Sequence, residues 1–197
     1  MPTGRAIEDV RARLFAAAEH VLLRDGSAAV TSRAVTTEAG VAKGVLHRHF
    51  TDMDVFLTEL VLDRIETVDV QAERLLERAG EGVVVDNLVH ALEELFGSIA
   101  PAVLELVTAR DTVRARLREA GSVGVPVLTE GANMLARYLA AEQQQGRLIA
   151  GADVPTLAGT LMGAAHLQYA GRDVARPDEQ ALRRMVATVM TSALAAR

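Results

Sequence analysis

Apolar residues recur every three or four positions along most of the chain, and no segment alternates as a half-buried strand would. Val10, Leu14, Ala17, Ala18 and Val21 form a first stripe, ended by Asp25-Gly26. Phe56, Leu57, Leu60, Val61 and Val68 form another, in a long helix capped by Asp52, running to about Arg78 and ended by Gly80 and Gly82. Val85, Leu88, Val89, Leu92, Leu95, Phe96 and Ile99 make a strongly amphipathic helix. Pro101 opens the next, with Val103, Leu104, Val107, Val113 and Leu117 inward and Asp111 as a point of division. After a break at Gly121–Gly124, a helix following Pro126 carries Leu128, Leu135 and Leu139, with Met134 and Tyr138 beside them, and ends at Gln145-Gly146. Asp153-Val154-Pro155 reads as a capped start for Leu157 to Tyr169. Pro177-Asp178 precedes a last helix with Leu182, Met185, Val186, Val189, Met190 and Ala193 inward. The pattern predicts an all-α chain of about nine helices.

Between the first two stripes lies Thr31–Phe50, T-S-R-A-V-T-T-E-A-G-V-A-K-G-V-L-H-R-H-F. Thr31 is placed to accept from a first-turn amide, and Val30 and Val35 hold the two positions of a hydrophobic staple. The spacing predicts a helix over Ser32–Ala39, a turn at Gly40, where positive φ is tolerated, and a helix from about Ala42 to Phe50. With the first stripe this makes a three-helix head containing a helix-turn-helix, whose second helix enters a DNA major groove. That second helix carries Lys43, His47, Arg48 and His49 and no acid, while Val41, Val45 or Leu46, and Phe50 can face inward. Gly44 lowers helicity by about 1 kcal/mol relative to Ala, which is reasonable where a backbone must approach something closely.

The run G-V-A-K-G-V-L-H-R-H-F-T-D-M-D-V-F resembles the DNA-binding signature of TetR-family transcriptional regulators, approximately A-G-V-S-K-G-T-L-Y-x-Y-F-x-S-K-E-x-L. The detailed resemblance covers about Val10 to Leu60; beyond it the chain matches in length and helical pattern. Ala42 stands where a capping Ser is usual, His47 where a phosphate-binding Tyr is usual, and Met53 where a phosphate-binding Lys is usual. The resemblance implies a DNA-binding domain over 1–52 and a helical ligand-binding and dimerisation domain over 53–197, joined by the long helix as the only covalent route. The candidate DNA contacts are Arg33, Thr36, Ala42, Lys43, Gly44, Val45, His47, Arg48 and His49. They imply a double-stranded DNA operator as partner, palindromic if the chain is a homodimer.

Charge changes this picture little. The net charge is −5. Residues 1–52 hold seven Lys/Arg and six Asp/Glu, whereas the remainder holds fourteen and twenty. An acidic body behind a mildly basic head orients the head toward DNA. There is no cysteine, which excludes disulfides and thiolate metal sites and fits a cytoplasmic location. The N-terminus lacks the apolar run of a signal peptide, and no stretch is long and apolar enough to span a membrane.

The helix after Pro155 has no charge from Leu157 to Gly171 and carries Ala158, Gly159, Gly163, Ala164 and Ala165. Either the body encloses it or a second subunit covers part of it; the resemblance favours the second. Gly159, Gly163, Met185 and Val189 are the candidate interface. No catalytic set is legible. His47 and His49 diverge on a helix, and the lack of strands excludes a strand-borne phosphate loop, so no cofactor and no metal are expected. Phe96, Leu104, Met134, Tyr138, Met162 and His166 are candidates to line a pocket for a small apolar effector, or else simply fill the core. The reading is a ligand-responsive regulator, a repressor rather than an enzyme. The alternative is a helical small-molecule-binding protein or enzyme whose helix-turn-helix no longer binds DNA, supported by Ala42, His47 and Met53.

Overall fold

The computed structural model describes residues 4–97, 100–170 and 179–195. They form ten α-helices: α1 (Gly4–Asp25), α2 (Ser32–Glu38), α3 (Val45–His49), α4 (Met53–Glu77), α5 (Val84–Phe96), α6 (Ala100–Ala109), α7 (Asp111–Glu119), α8 (Leu128–Gln144), α9 (Val154–Tyr169) and α10 (Glu179–Met190). Ten replace the expected nine because the segment after Pro101 divides, with Arg110 in extended conformation between α6 and α7. The expected start at Pro177-Asp178, and Ile99 of the α5 stripe, lie outside the described residues.

The chain separates into two compact units. The first comprises residues 1–63 and 102–122, the second residues 64–101 and 123–197. A boundary drawn at residue 52 therefore differs from the compact units in one large segment: most of α6 and all of α7 group with the head. The unit boundary is crossed within α4, near the start of α6 and after α7. The long helix is thus one of three covalent crossings rather than the only one.

The first unit is built on aromatic packing. Phe50 meets Phe56 edge-on at 4.9 Å, and Phe15 lies 5.5 Å from Phe56 and 5.9 Å from Phe50. The Arg11 guanidinium sits 4.9 Å above the Phe50 ring and pairs with Glu59. Val35 and Leu46 are fully enclosed, locking α2 to α3. Val103, Leu106, Val113 and Leu117 supply the buried faces of α6 and α7. Three polar ties run from these helices to the head: Ser27 Oγ donates to Glu105 at 2.9 Å, Arg110 donates to the Val30 carbonyl at 3.2 Å, and Arg116 donates to Asp52 at 3.2 Å.

In the second unit α8 packs on α9, and α10 on α5 and α9. Gly131 of α8 lets Met162 of α9 and Leu95 of α5 come so close that a Cβ there would lie 2.5 Å and 2.8 Å from their terminal carbons. After α10 the chain turns back, and Leu194 bridges to Leu148.

Candidate nucleic-acid interface

The helix-turn-helix starts as its sequence dictates. The Thr31 side chain accepts from the Ala34 amide at 3.2 Å, contributing about 1 kcal/mol as such caps do. Gly40 takes φ +65° in the turn that follows α2, a conformation side-chain-bearing residues rarely adopt. On the other flank, the Asp52 carboxylate accepts from the Val55 amide at 2.7 Å and caps α4.

The recognition helix is shorter than its periodicity predicts. Regular α-helix covers Val45–His49, not Ala42–Phe50, and Phe50 closes it in extended conformation. Ala42 offers no side-chain cap and Gly44 disfavours helix, so Ala42, Lys43 and Gly44 form the turn that leads in, with the Val45 amide donating to the Ala42 carbonyl at 2.8 Å. Five residues span only about 7.5 Å at 1.5 Å each. Leu46 and Phe50 are the residues that face the core, while Val41 and Val45 are half-buried.

The candidate DNA contacts divide by exposure. Arg33, Ala42, Lys43, Gly44, His47 and Arg48 are exposed, and Val45 and His49 are half-buried. A Cβ at Gly44 would meet nothing within 4 Å, so its backbone faces open space. His47 Nε2 lies 3.4 Å from Ser32 Oγ, which ties the outer side of α3 to the start of α2. Thr36 must be corrected. It is 2% exposed, and its hydroxyl donates to the Ser32 carbonyl at 2.8 Å, leaving no free group for DNA. Thr37, exposed and one turn beyond Arg33, holds the outward position that the sequence reading gave to Thr36. Arg13, also missed, donates from α1 to the Ala39 carbonyl at 2.9 Å and fastens the end of α2.

In the second unit, Phe96, Met134, Tyr138 and Met162 are buried and His166 is half-buried. Leu104 is buried and belongs to the first unit. Met162 fills the space above Gly131. Tyr169 stacks on Phe96 at 5.3 Å, and His166 lies 6.3 Å from the same ring, its Nδ1 enclosed without a hydrogen-bond partner. The Tyr138 hydroxyl accepts from Asn87 at 3.0 Å. Burial first, and then the neighbouring Glu142 carboxylate, hold that hydroxyl well above the usual phenol range, with Asn87 opposing. The sequence reading missed Glu142, although it continues the inward stripe of Met134 and Tyr138 at four-residue steps. Of the candidate interface, Gly159 and Gly163 are exposed, and a Cβ at either would meet nothing within 4 Å; Met185 and Val189 are half-buried.

Residues 14–60 match the family described as bacterial regulatory proteins of the tetR family. The head is thus similar to the DNA-binding region of the tetR family. The TetR-type match covers the head, from Leu14 in α1 to Leu60 in α4. The fold extends the likeness over nearly the whole chain. The reduced form of NemR from E. coli has 16% identity and a TM-score of 0.71, covering 94% of this chain and 97% of its own. A transcriptional regulator from Rhodococcus sp. Rha1 has 19% identity and a TM-score of 0.68, covering 95% and 99%. A gamma-butyrolactone receptor described as ArpA-like has 20% identity and a TM-score of 0.67, covering 96% and 90%. No curated protein matches the chain. Among the described residues no group of three or more His, Asp or Glu could hold a metal, and no helix is long and apolar enough to cross a membrane. Within the matched region the exposed run Ala42–Gly44, with His47 and Arg48, forms the outer surface of the helix-turn-helix.

Proposed function

We propose that the protein is a dimeric transcriptional repressor that binds a palindromic operator and leaves it when a small molecule occupies the body. The observation that carries this reading is the outer surface of the helix-turn-helix. Lys43 and Arg48 are exposed and form no ion pair among the described residues, and the Gly44 backbone beside them is open. Cations without a protein partner suit phosphates, and an open backbone suits close approach to a groove.

One such surface is too small to select a site, since a five-residue helix reaches few base edges. A two-fold dimer doubles the contacts and imposes its symmetry on the DNA. The exposed face of α9 supports it: Thr156, Gly159, Thr160, Gly163 and Leu167 all face outward, and Leu167 is 76% exposed. A smooth, uncharged helical face of this kind seats a second copy closely.

The effector reading rests on the second unit and its three covalent crossings to the head. The gamma-butyrolactone receptor of similar fold supports a small-molecule receptor role by its description. A ligand shifts the head only if it prefers the state that fits DNA poorly. A coupling of about 1–3 kcal/mol corresponds to a change of roughly 5–150-fold in affinity, and linkage makes it reciprocal. The expected result is that any compound found to release the protein from operator binds that factor more weakly when operator is saturating. Equal ligand affinities with and without operator would leave DNA binding intact and remove the switch.

A further inference from the structure

The second unit holds a cleft in which a buried amide is left without a partner. Gln71, Arg74 and Arg78 follow one another at helical spacing along the end of α4, and with His90 and Glu94 of α5 they line a space of about 70 Å³. Leu75 and Ala91, both buried, complete its wall. Gln71 is 8% exposed, and its Oε1 is enclosed with no hydrogen-bond partner. A carbonyl enclosed without a donor is costly. Arg74 reaches from α4 to Glu94 of α5 at 2.6 Å, so those two charges cancel. The Arg78 guanidinium makes no hydrogen bond or ion pair among the described residues, and neither does the exposed ring of His90.

Size and lining together define the occupant. Drug-sized ligands fill pockets of about 300 Å³ or more, whereas one water takes about 30 Å³ of the liquid. The space here suits one compact polyatomic ion. Arg78 leaves a positive charge without a counterion, which calls for an anion. His90 can donate to it from one ring nitrogen when neutral and from two when protonated. Gln71 Oε1 calls for a donor, so the anion must also carry a hydroxyl. Carboxylates and sulfate are fully ionised near neutral pH and carry none, whereas phosphate keeps at least one proton.

We propose that this cleft binds one hydrogenphosphate group, whose P–OH donates to Gln71 Oε1 while its charged oxygens accept from Arg78 and His90. The Glu94 carboxylate, held by Arg74, is already neutralised. Inorganic phosphate and the terminal phosphate of a monoester share this chemistry. Arg78 and His90 are exposed, which leaves the rim open to the body of an ester.

The test uses the full chain without DNA, so its failure leaves the operator reading untouched. Phosphate, sulfate and acetate are titrated calorimetrically just below neutral pH, at constant ionic strength with chloride as the background anion. Phosphate is expected to bind at least about tenfold tighter than acetate and than sulfate, its match in shape that lacks the proton. Gln71→Met, which keeps the length and removes the amide, should bring phosphate down to the affinity of sulfate. Arg78→Gln should weaken both tetrahedral anions by about fivefold or more. Glycerol 3-phosphate separates the two sources: affinity equal to that of phosphate assigns the site to an ester, weaker binding assigns it to the inorganic ion, and either upholds the phosphate group. Circular dichroism establishes that the variants fold; if Gln71→Met does not, the parent's ranking of the anions decides. No saturable phosphate binding by the parent, equal affinities for phosphate and sulfate, or an unchanged preference in Gln71→Met overturns the proposal.

Discussion

Gly163→Glu is expected to lower operator affinity at least a hundredfold while leaving the individual chain folded. Gly163 is exposed on α9, and a Cβ there would meet nothing within 4 Å. The new side chain therefore clashes with nothing in its own chain. Replacing a glycine inside a helix also improves helix propensity by several tenths of a kcal/mol. Only a second copy seated on this face would feel the substitution, as two unpaired carboxylates forced out of water at a cost of several kcal/mol. Joining two half-site readers multiplies affinity by about 10²–10⁴, and separated chains forfeit that factor. Light scattering on the eluted protein should show monomers, with an unchanged or slightly raised melting temperature. A variant that stays dimeric with full operator affinity places the interface elsewhere than α9.

Lys43→Ala is expected to cost about 10–100-fold in operator affinity at moderate salt and to flatten its salt dependence. Each phosphate neutralised contributes about 0.9 to the slope of log affinity against log salt. A dimer loses two such contacts, so the slope should fall by about two. Lys43 is exposed in the turn before α3, and removing it should move stability by no more than about 0.5 kcal/mol. The contrast is Leu46→Ala. Leu46 is fully enclosed, and its truncation should cost about 2–5 kcal/mol and abolish binding by loosening the head. If Lys43→Ala leaves both the affinity and the slope unchanged, Lys43 does not touch DNA.

The features of the head legible in the sequence are those set by neighbours along the chain. The Thr31 cap, the turn at Gly40 and the Asp52 cap each depend on a few consecutive residues, and each stands where those residues put it. Errors arise where exposure depends on the third dimension. Thr36 and Thr37 are indistinguishable by type, yet one is enclosed and the other exposed. The grouping of α6 and α7 with the head could not be read either. Their apolar stripes say that they are buried, but not against what. Arg110 shows the same limit. Its sequence neighbours are unremarkable, whereas in the fold it ties the Val30 carbonyl at 3.2 Å and lies 3.5 Å from Asp54. Glu142 went unnoticed because a carboxylate on an inward stripe resembles the polar edge of an amphipathic helix until its burial is known.

The central claim is that the head of a two-fold dimer reads DNA through Lys43, Gly44, His47 and Arg48. Selection of bound sites from a random pool of duplexes, using the purified full chain at near-physiological salt, tests it most directly. Enrichment of an inverted repeat is expected, lost from the pool selected by the Lys43→Ala, Arg48→Ala double variant. Enrichment of no sequence over the starting pool, or of a single unrepeated half-site, would contradict it and favour a helical small-molecule-binding protein whose helix-turn-helix no longer reads DNA.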